Sequence, residues 1–187
     1  LQDWTAVAQN TIVHSTELAI TTTERIAFLV QCALDTATAH TGTRFVVQVS
    51  PDASGDERWY PTNADYLRLA GTANAEDVTN NPLAAGGTTI TVASTTGYTV
   101  LGTMVFIEDA TLINSEIVRI NAVTTDTSIG LLDGVTNSHA NTADLFNVAD
   151  MVMLDVPEGA LRARIMVDNS YDADGSTLNY SVSVITI

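Results

Sequence analysis

Apolar and polar residues alternate over long stretches near both ends of this chain. In the clearest case, the bulky apolar residues Ile26, Phe28, Val30, Cys32 and Leu34 occupy every second position. A period of two is the period of a β-strand, whereas a helix repeats every 3.6 residues. We therefore predict a strand over these residues, with one face directed into a core.

The other face of this strand is partly apolar as well. It carries Ala27, Leu29 and Ala33 beside the polar Gln31. Such a face is expected to meet a neighbour, for which another subunit is one option.

The same alternation predicts further strands on both sides of the chain's centre. Residues 1–15 are interpreted as an arm or first edge strand with Trp4 as its anchor, and the last strand, 178–187, is expected to pair centrally in its sheet. Clusters of Gly, Pro, Asn, Asp and Ser predict the turns between strands. The strands with apolar alternation are 44–50, 152–156 and 161–167, and the predicted turns are 40–42, 51–60 and 168–177.

The central stretch, residues 88–147, has a different pattern. Four short apolar strands begin near Ile90, Met104, Glu116 and Ile129, and Gly, Asn or Asp closes each of them. Short strands at this spacing are typical of a small barrel or compact sandwich. We predict an all-β protein, in which residues 1–85 plus 149–187 form a discontinuous, jelly-roll-like β-sandwich and residues 86–148 an inserted small barrel-like domain. A single helical turn within 63–70 is the one helical option.

The charge of the chain restricts its partners. The 187 residues carry a net charge of −15, and all seven basic residues are Arg. Because an acidic surface repels phosphate, nucleic acid and anionic membranes are unfavourable partners. The acidity either serves solubility or suits an assembly protein that docks on something basic. No run of ~20 apolar residues predicts a membrane span, and the first ten residues lack the features of a signal peptide.

Several motifs of the central stretch resemble a module found in virion proteins of tailed bacteriophages. That module has a Ser-x-x-Gly-aromatic turn, an apolar strand, Ser-Glu before an alternating strand, and a Gly…His-Ala loop. The flanking segments TAHTGT at 38–43 and DNSYDADGST at 168–177 resemble phage structural proteins of the decoration, or cement, type. The matching stretches are VASTTGY at 92–98, FIED at 106–109, NSEIVRI at 114–120 and LDGVTNSHAN at 132–141.

This resemblance implies a capsid decoration protein on the virion surface. Its partner would be the major capsid protein, and self-association would be expected, since many proteins of this type form trimers. The alternative is a tail, neck or fibre component with a glycan-binding platform of Trp59, Tyr60 and Tyr98. An enzyme, most plausibly a glycoside hydrolase, would need two carboxylates facing one cleft, and the sequence nominates no pair.

No catalytic, cofactor or metal site is predicted. His14, His40 and His139 lack partners at defined spacing, and His139 is expected to hydrogen-bond inside its own loop. The lone Cys32 is interpreted as a small buried hydrophobe. Adjacent carboxylates on a strand point to opposite faces, and Ser115-Glu116 lies in no nucleophile motif. The pairs of adjacent carboxylates are Asp56-Glu57 and Glu108-Asp109.

Two surface features can each be interpreted in two ways. The segment 168–177 is interpreted as a hairpin turn, and a weak calcium site on Asp168, Asp172 and Asp174 is the alternative. Arg162 and Arg164 share one strand face and either pair with nearby acids or dock a subunit.

Overall fold

The protein is an all-β molecule in this computed structural model. The structure describes residues 1–21, 25–34, 39–40, 42–54, 58–66, 69, 71–98, 103–170 and 177–186. Within these ranges every regular element is a β-strand, except for one turn of 3₁₀ helix at Leu112–Asn114. The all-β prediction is therefore confirmed.

The described residues form seventeen strands, and every pairing between these strands is antiparallel. In chain order they are β1 (Gln2–Val7), β2 (Ile12–His14), β3 (Leu18–Ala19), β4 (Ile26–Leu34), β5 (Ala39–His40), β6 (Arg44–Ser50), β7 (Tyr60–Tyr66), β8 (Gly71–Thr72), β9 (Ala75–Asp77), β10 (Thr89–Thr91), β11 (Met104–Glu108), β12 (Glu116–Thr124), β13 (Ser128–Leu131), β14 (Asp144–Phe146), β15 (Ala149–Asp155), β16 (Arg162–Asp168) and β17 (Leu178–Thr186).

Two sheets form a sandwich from the two ends of the chain. The front sheet has the order β1-β17-β4-β15, and the back sheet has the order β2-β16-β6-β7 with β3 also beside β16. Phe28, Phe45, Ile165 and Tyr180 are almost fully buried between them. The rings of Phe45 and Tyr180, one from each sheet, lie 6.3 Å apart. The period-two alternation therefore identified the core face correctly, and β17 is central as predicted.

The module sheet is built from the centre of the chain, in the order β10-β13-β12-β11-β14-β9. It curls, so that the chain leaving β9 reaches the opposite edge, where the Thr79 amide donates to the Thr91 carbonyl at 2.8 Å. The four predicted strands of this stretch are confirmed. The sheet also contains β9 and β14, which were not predicted. The domain boundaries at 86 and 148 stay predictions, although strand pairing extends the module sheet back to Ala75.

Strand β11 is apolar on both faces, because each face meets a different core. Val105 and Ile107 are buried in the core of the module, whereas Phe106 belongs to the core cluster of the sandwich. The rings of Phe106 and Trp4 lie 4.6 Å apart. The module therefore packs on the outside of the front sheet.

This packing covers one row of the front sheet's outer face. Ala149, Ala33 and Asn179 are directly opposite one another on β15, β4 and β17. The Asn179 side-chain amide donates to the Glu108 carboxylate at 3.2 Å, and both Ala33 and Asn179 are fully buried. At this row the neighbour expected from the sequence is the chain's own module, not another subunit.

A set of hydrogen bonds, which we call the crossover clasp, joins the two points where the chain enters and leaves the module. Asn74 precedes β9 and Asn147 follows β14. The Asn74 backbone amide donates to the Asn147 side-chain oxygen at 2.7 Å. The Asn147 side-chain amide then donates to the Gly97 carbonyl at 2.8 Å, and that of Asn74 to the Thr96 carbonyl at 3.2 Å.

The aromatic residue of the Ser-x-x-Gly-aromatic turn completes the clasp. The Tyr98 hydroxyl lies 2.5 Å from the Leu145 carbonyl and 3.0 Å from the Asn74 carbonyl. Burial raises the pKa of Tyr98, and the nearby charge of Glu76 adds to the rise. Gly97 has a φ of +84°, and a Cβ there would lie 1.5 Å from the Asn74 side-chain nitrogen. The turn motif therefore ties both chain crossovers to the module.

Two local predictions near the sandwich are corrected. Residues 63–66 belong to strand β7 instead of a helical turn, because this segment pairs with β6. His40 lies in strand β5, which pairs with β8, instead of opening a turn. Residues 41, 55–57 and 171–176 of the predicted turns lie outside the described residues, as do residues 67, 68 and 70 of the predicted helical turn.

The clasp can be tested with two glycine substitutions that share a backbone conformation. Gly97 and Gly159 have φ values of +84° and +83°, but a Cβ on Gly159 meets nothing within 4 Å. Gly159→Ala is expected to lower the free energy of unfolding by about 1 kcal/mol, the cost of left-handed backbone alone. Gly97→Ala should cost at least about 2 kcal/mol more, because it also displaces Asn74. Urea unfolding curves measure both, and equal losses would contradict the clasp.

Candidate functional site

A buried histidine lies between two carboxylates on the module. His139, which is fully buried, lies in the loop after β13, Glu116 begins β12, and Asp109 follows β11. The His139 Nε2 atom lies 2.8 Å from a Glu116 oxygen, and its Nδ1 atom lies 3.4 Å from an Asp109 oxygen. Only the first contact has hydrogen-bond geometry. We call these three residues the histidine cluster.

The backbone of His139 is held as well as its ring. Its amide donates to the Leu83 carbonyl at 2.9 Å, and its carbonyl accepts from the Leu83 amide at 3.0 Å. The expectation that His139 hydrogen-bonds inside its own loop is wrong, because its partners are Leu83 and Glu116. The histidine therefore joins three separate segments of the module.

Glu116 is the anion at the centre of this cluster. Besides His139, its carboxylate accepts the backbone amides of Thr136 at 2.8 Å and Asn137 at 2.9 Å. Burial alone would raise the pKa of Glu116, but the hydrogen bonds from His139, Asn137 and Thr136 together lower it below the ordinary value. The carboxylate therefore stays ionised and holds the 133–141 loop against β12.

The geometry of the cluster favours a structural role over acid–base catalysis. The Ser115 hydroxyl, the neighbouring candidate nucleophile, is buried and accepts the Asp109 backbone amide at 2.9 Å. Glu108, at the end of β11, and Asp109, just after it, have different partners, Asn179 and His139. In the part of the chain that the structure describes, no three His, Cys, Asp or Glu side chains are arranged to hold a metal ion.

A cleft opens beside the histidine cluster, where the module faces β15. Its volume is about 350 Å³, and its lining includes Glu116, Arg119, Asp133 and Met151. No local sequence pattern indicated this cleft, because its walls come from β11, β12, the 133–136 loop and β15. Clefts between packed units are common places for ligands and partners.

The basic pair on the back sheet pairs with an acid, which was one of the two predicted roles. Arg162 lies 2.8 Å from the Glu17 carboxylate, and its side chain is only 10% exposed. The Arg164 guanidinium stacks 4.1 Å from the centre of the Trp59 ring, and Arg162 lies 5.1 Å from it. The ion pair with Glu17 and the stacking on Trp59 explain where the two guanidinium groups lie. Docking of a subunit on these arginines, the other predicted role, stays a prediction.

The predicted aromatic platform is not formed. Tyr98 is buried in the module core, and Trp59 packs on the two arginines, so only Tyr60 is well exposed. A glycan platform needs several exposed rings side by side, which these three residues do not provide.

The remaining candidates have structural surroundings or lie partly outside the described residues. Cys32 is fully buried, as expected, and burial followed by the charge of Asp150 raises its thiol pKa. Burial, followed by the charge of Arg164, lowers the pKa of His14. Asp168 is buried and accepts the Ser170 amide at 3.0 Å, while the other two predicted calcium ligands, Asp172 and Asp174, lie outside the described residues.

Two acids face each other at the edge of the module sheet. Asp144 on β14 is directly opposite Asp77 on β9, and both are exposed. Burial of part of the carboxyl group raises the pKa of Asp144, and the charge and hydrogen bond of Asp77 raise it further. Like charges directly opposite on a sheet destabilise the pair.

No family model matches this chain, and no curated protein matches it in sequence. Among the residues described, the structure contains no helix long and apolar enough to cross a membrane.

The role of Glu116 predicts a loss of stability in acid. Because its pKa is lower in the folded than in the unfolded chain, the ionised carboxylate stabilises the fold above its ordinary pKa of 4.5, and this stabilisation is lost as the pH falls through the folded value. Glu116→Gln should lower the free energy of unfolding by about 1–3 kcal/mol at pH 7. Urea unfolding across the pH range should show the difference shrinking in acid, whereas a pH-independent difference would contradict this role. Asp3→Asn, at an exposed acid, is the control.

The facing acids predict a stabilising substitution. Because the pKa of Asp144 is raised in the folded chain, the repulsion is absent at low pH and appears as the pH rises through the folded value. Asp144→Asn should raise the free energy of unfolding by about 0.2–1 kcal/mol at pH 7, and by nothing once both acids are protonated. Thermal melts at pH 7 and at a pH low enough to protonate both acids test this prediction. A lower melting temperature of the variant at pH 7 would refute it.

Proposed function

We propose that this chain is a structural protein of a tailed-bacteriophage virion, of the decoration or cement type, that binds the outer surface of the major capsid shell. The resemblance of the 92–98, 106–109, 114–120 and 132–141 motifs to phage virion modules supports this proposal. The all-β build, with a module packed on a sandwich, agrees with it. The action would be mechanical, since the protein would bury surface between neighbouring shell subunits.

The observation that carries the proposal is the uncovered part of the front sheet's outer face. The module covers the row of Ala33 on β4 and Ala149 on β15. Met153, which lies four residues after Ala149 on β15, is 55% exposed. Met153 is directly opposite Leu29 on β4, and Leu29 is opposite Ser183 on β17. A sheet face with an exposed large apolar residue suits contact with another protein surface.

The charge of the chain indicates the nature of that surface. With a net charge of −15, the protein would be repelled by another acidic surface and steered towards a basic one. The second partner in the proposal is the chain itself, since proteins of this type self-associate in the families that it resembles. The mass of the protein in light scattering after size exclusion would test for a trimer.

The docking face can be tested on shells assembled from the major capsid protein encoded in the same genome. The wild-type chain should co-sediment with expanded shells and raise their disruption temperature. Met153→Glu should weaken co-sedimentation at least about ten-fold, because it places a charge in an apolar contact. Ile113→Glu is the matched control, since Ile113 is 58% exposed on the 3₁₀ turn of the module, and it should change binding by less than about two-fold.

Three outcomes would contradict the proposal in different ways. Absence of binding to shells would refute the capsid function. Localisation to tails by electron microscopy would instead favour a tail, neck or fibre component. Equal losses for Met153→Glu and Ile113→Glu would reject the front sheet as the docking face.

A further inference from the structure

The chain contains four methionines, and one of them lies in different surroundings from the other three. Met153 is 55% exposed, whereas the other three are only partly exposed. Met104 and Met151 line the cleft between the module and β15. The sulfur of Met166 accepts a hydrogen bond from the Gln48 side-chain amide at 3.3 Å. The thioether of Met153 is therefore the one that a reagent in solution reaches most easily.

Exposure decides how fast a methionine reacts with a peroxide. The sulfur lone pair attacks one oxygen of hydrogen peroxide, so that a sulfur–oxygen bond forms and the oxygen–oxygen bond breaks. The leaving hydroxide takes the proton from the transferred oxygen and departs as water. The sulfur is thereby oxidised by two electrons to the sulfoxide, and the peroxide is reduced by two electrons. Because the oxidant must touch the sulfur, partly covered thioethers react more slowly.

The sulfoxide is polar at a place where the proposed docking face is apolar. Met153 lies directly opposite Leu29 on β4, and Leu29 lies opposite Ser183 on β17. None of these three residues is ionisable. The sulfoxide oxygen is a hydrogen-bond acceptor, and its burial against an apolar surface without a donor is unfavourable. Oxidation of Met153 therefore opposes the docking that the thioether favours.

The fold itself does not depend on the sulfur of Met153. More than half of this residue is exposed, so in the free chain the sulfoxide oxygen is hydrated and disrupts no buried contact. Met166 differs, because its sulfur takes part in a hydrogen bond on the back sheet. Oxidation confined to Met153 is therefore expected to change binding and to alter the melting temperature no more than a surface substitution does.

We propose that Met153 is a modification site at which hydrogen peroxide switches docking off by forming the sulfoxide. This inference rests on the proposed function, in which the outer face of the front sheet contacts the capsid shell. The switch is reversible, since methionine sulfoxide reductases restore the thioether. Docking buries Met153 and thereby protects it from the oxidant.

The order of oxidation tests the modification site. The free chain is treated with hydrogen peroxide for increasing times, and the oxygen added to each methionine is measured by fragmentation mass spectrometry, which separates Met151 from Met153 within one peptide. Met153 should be oxidised at least about five-fold faster than Met104, Met151 and Met166. Equal rates at Met153 and Met151, on the same strand, would overturn the site.

Co-sedimentation with capsid shells tests the switch. Wild-type chain oxidised at Met153 alone should bind shells at least about five-fold more weakly than the untreated chain, and reductases for both sulfoxide epimers should restore binding. Met153→Leu is the matched control, because leucine has a similar volume without the sulfur. This variant should bind within about two-fold of the wild type, both before and after peroxide.

Shell-bound chain gives an independent measurement of the same switch. Met153 should be oxidised at least about five-fold more slowly in the bound than in the free chain, and equal rates would place the shell contact elsewhere and overturn the switch. An equal loss of binding for peroxide-treated Met153→Leu would also overturn it. So would a melting temperature that falls on oxidation of Met153, because the loss of binding would then come from the fold.

The inference and the proposed function fail separately. If the untreated chain binds shells and the chain oxidised at Met153 binds them equally well, the switch fails and the capsid function stands. If the untreated chain ignores shells although Met153 is oxidised first, the capsid function fails together with the switch, and only the modification site stands.

Discussion

Hydrogen bonds tie the two chain crossovers to each other and to the module. The chain enters the module beside Asn74 and leaves it beside Asn147, and the two asparagines bond directly to each other. Both also bond to the 96–97 turn, and the Tyr98 hydroxyl reaches carbonyls near each crossover. The entry and exit of the module are therefore held side by side by direct hydrogen bonds.

The fixed position of the module determines which surfaces remain open. Phe106 on β11 of the module packs into the core cluster of the sandwich and contacts Trp4. The hydrogen bond between Glu108 and Asn179 covers the adjoining row of the front sheet. The rest of that outer face, around Met153, stays exposed. The same placement leaves the cleft beside Glu116. The docking face and the cleft are therefore both consequences of one packing arrangement.

The sequence identified long elements well and short or non-local ones poorly. Strands such as β4 and β17 have nine residues each, long enough for the period of two to be clear. Strands β9 and β14 have three residues each, too few to show a period, and they form because β14 pairs with β11 and β9 pairs with β14. The segment 63–66 was misassigned as a possible helical turn because pairing with β6, not local propensity, makes it a strand.

The histidine cluster was missed because its members are distant in sequence. His139 and Glu116 are 23 residues apart, and no spacing rule connects a Ser-Glu at a strand start with a His-Ala in a later loop. The two motifs were visible as separate features. Only the curl of the module sheet brings the loop back over β12, where the buried imidazole and the carboxylate satisfy one another.

By itself, the sequence determined the strand character of the chain, the core face of each long strand and the acidic, lysine-free surface. These properties follow from local periodicity and from counts of charges, which need no knowledge of neighbours. The tertiary structure alone decided which outer faces are covered, how the crossovers are tied and where Glu116 meets His139. Those features depend on contacts between residues far apart in the chain, and such contacts exist only after the sheets have paired and packed.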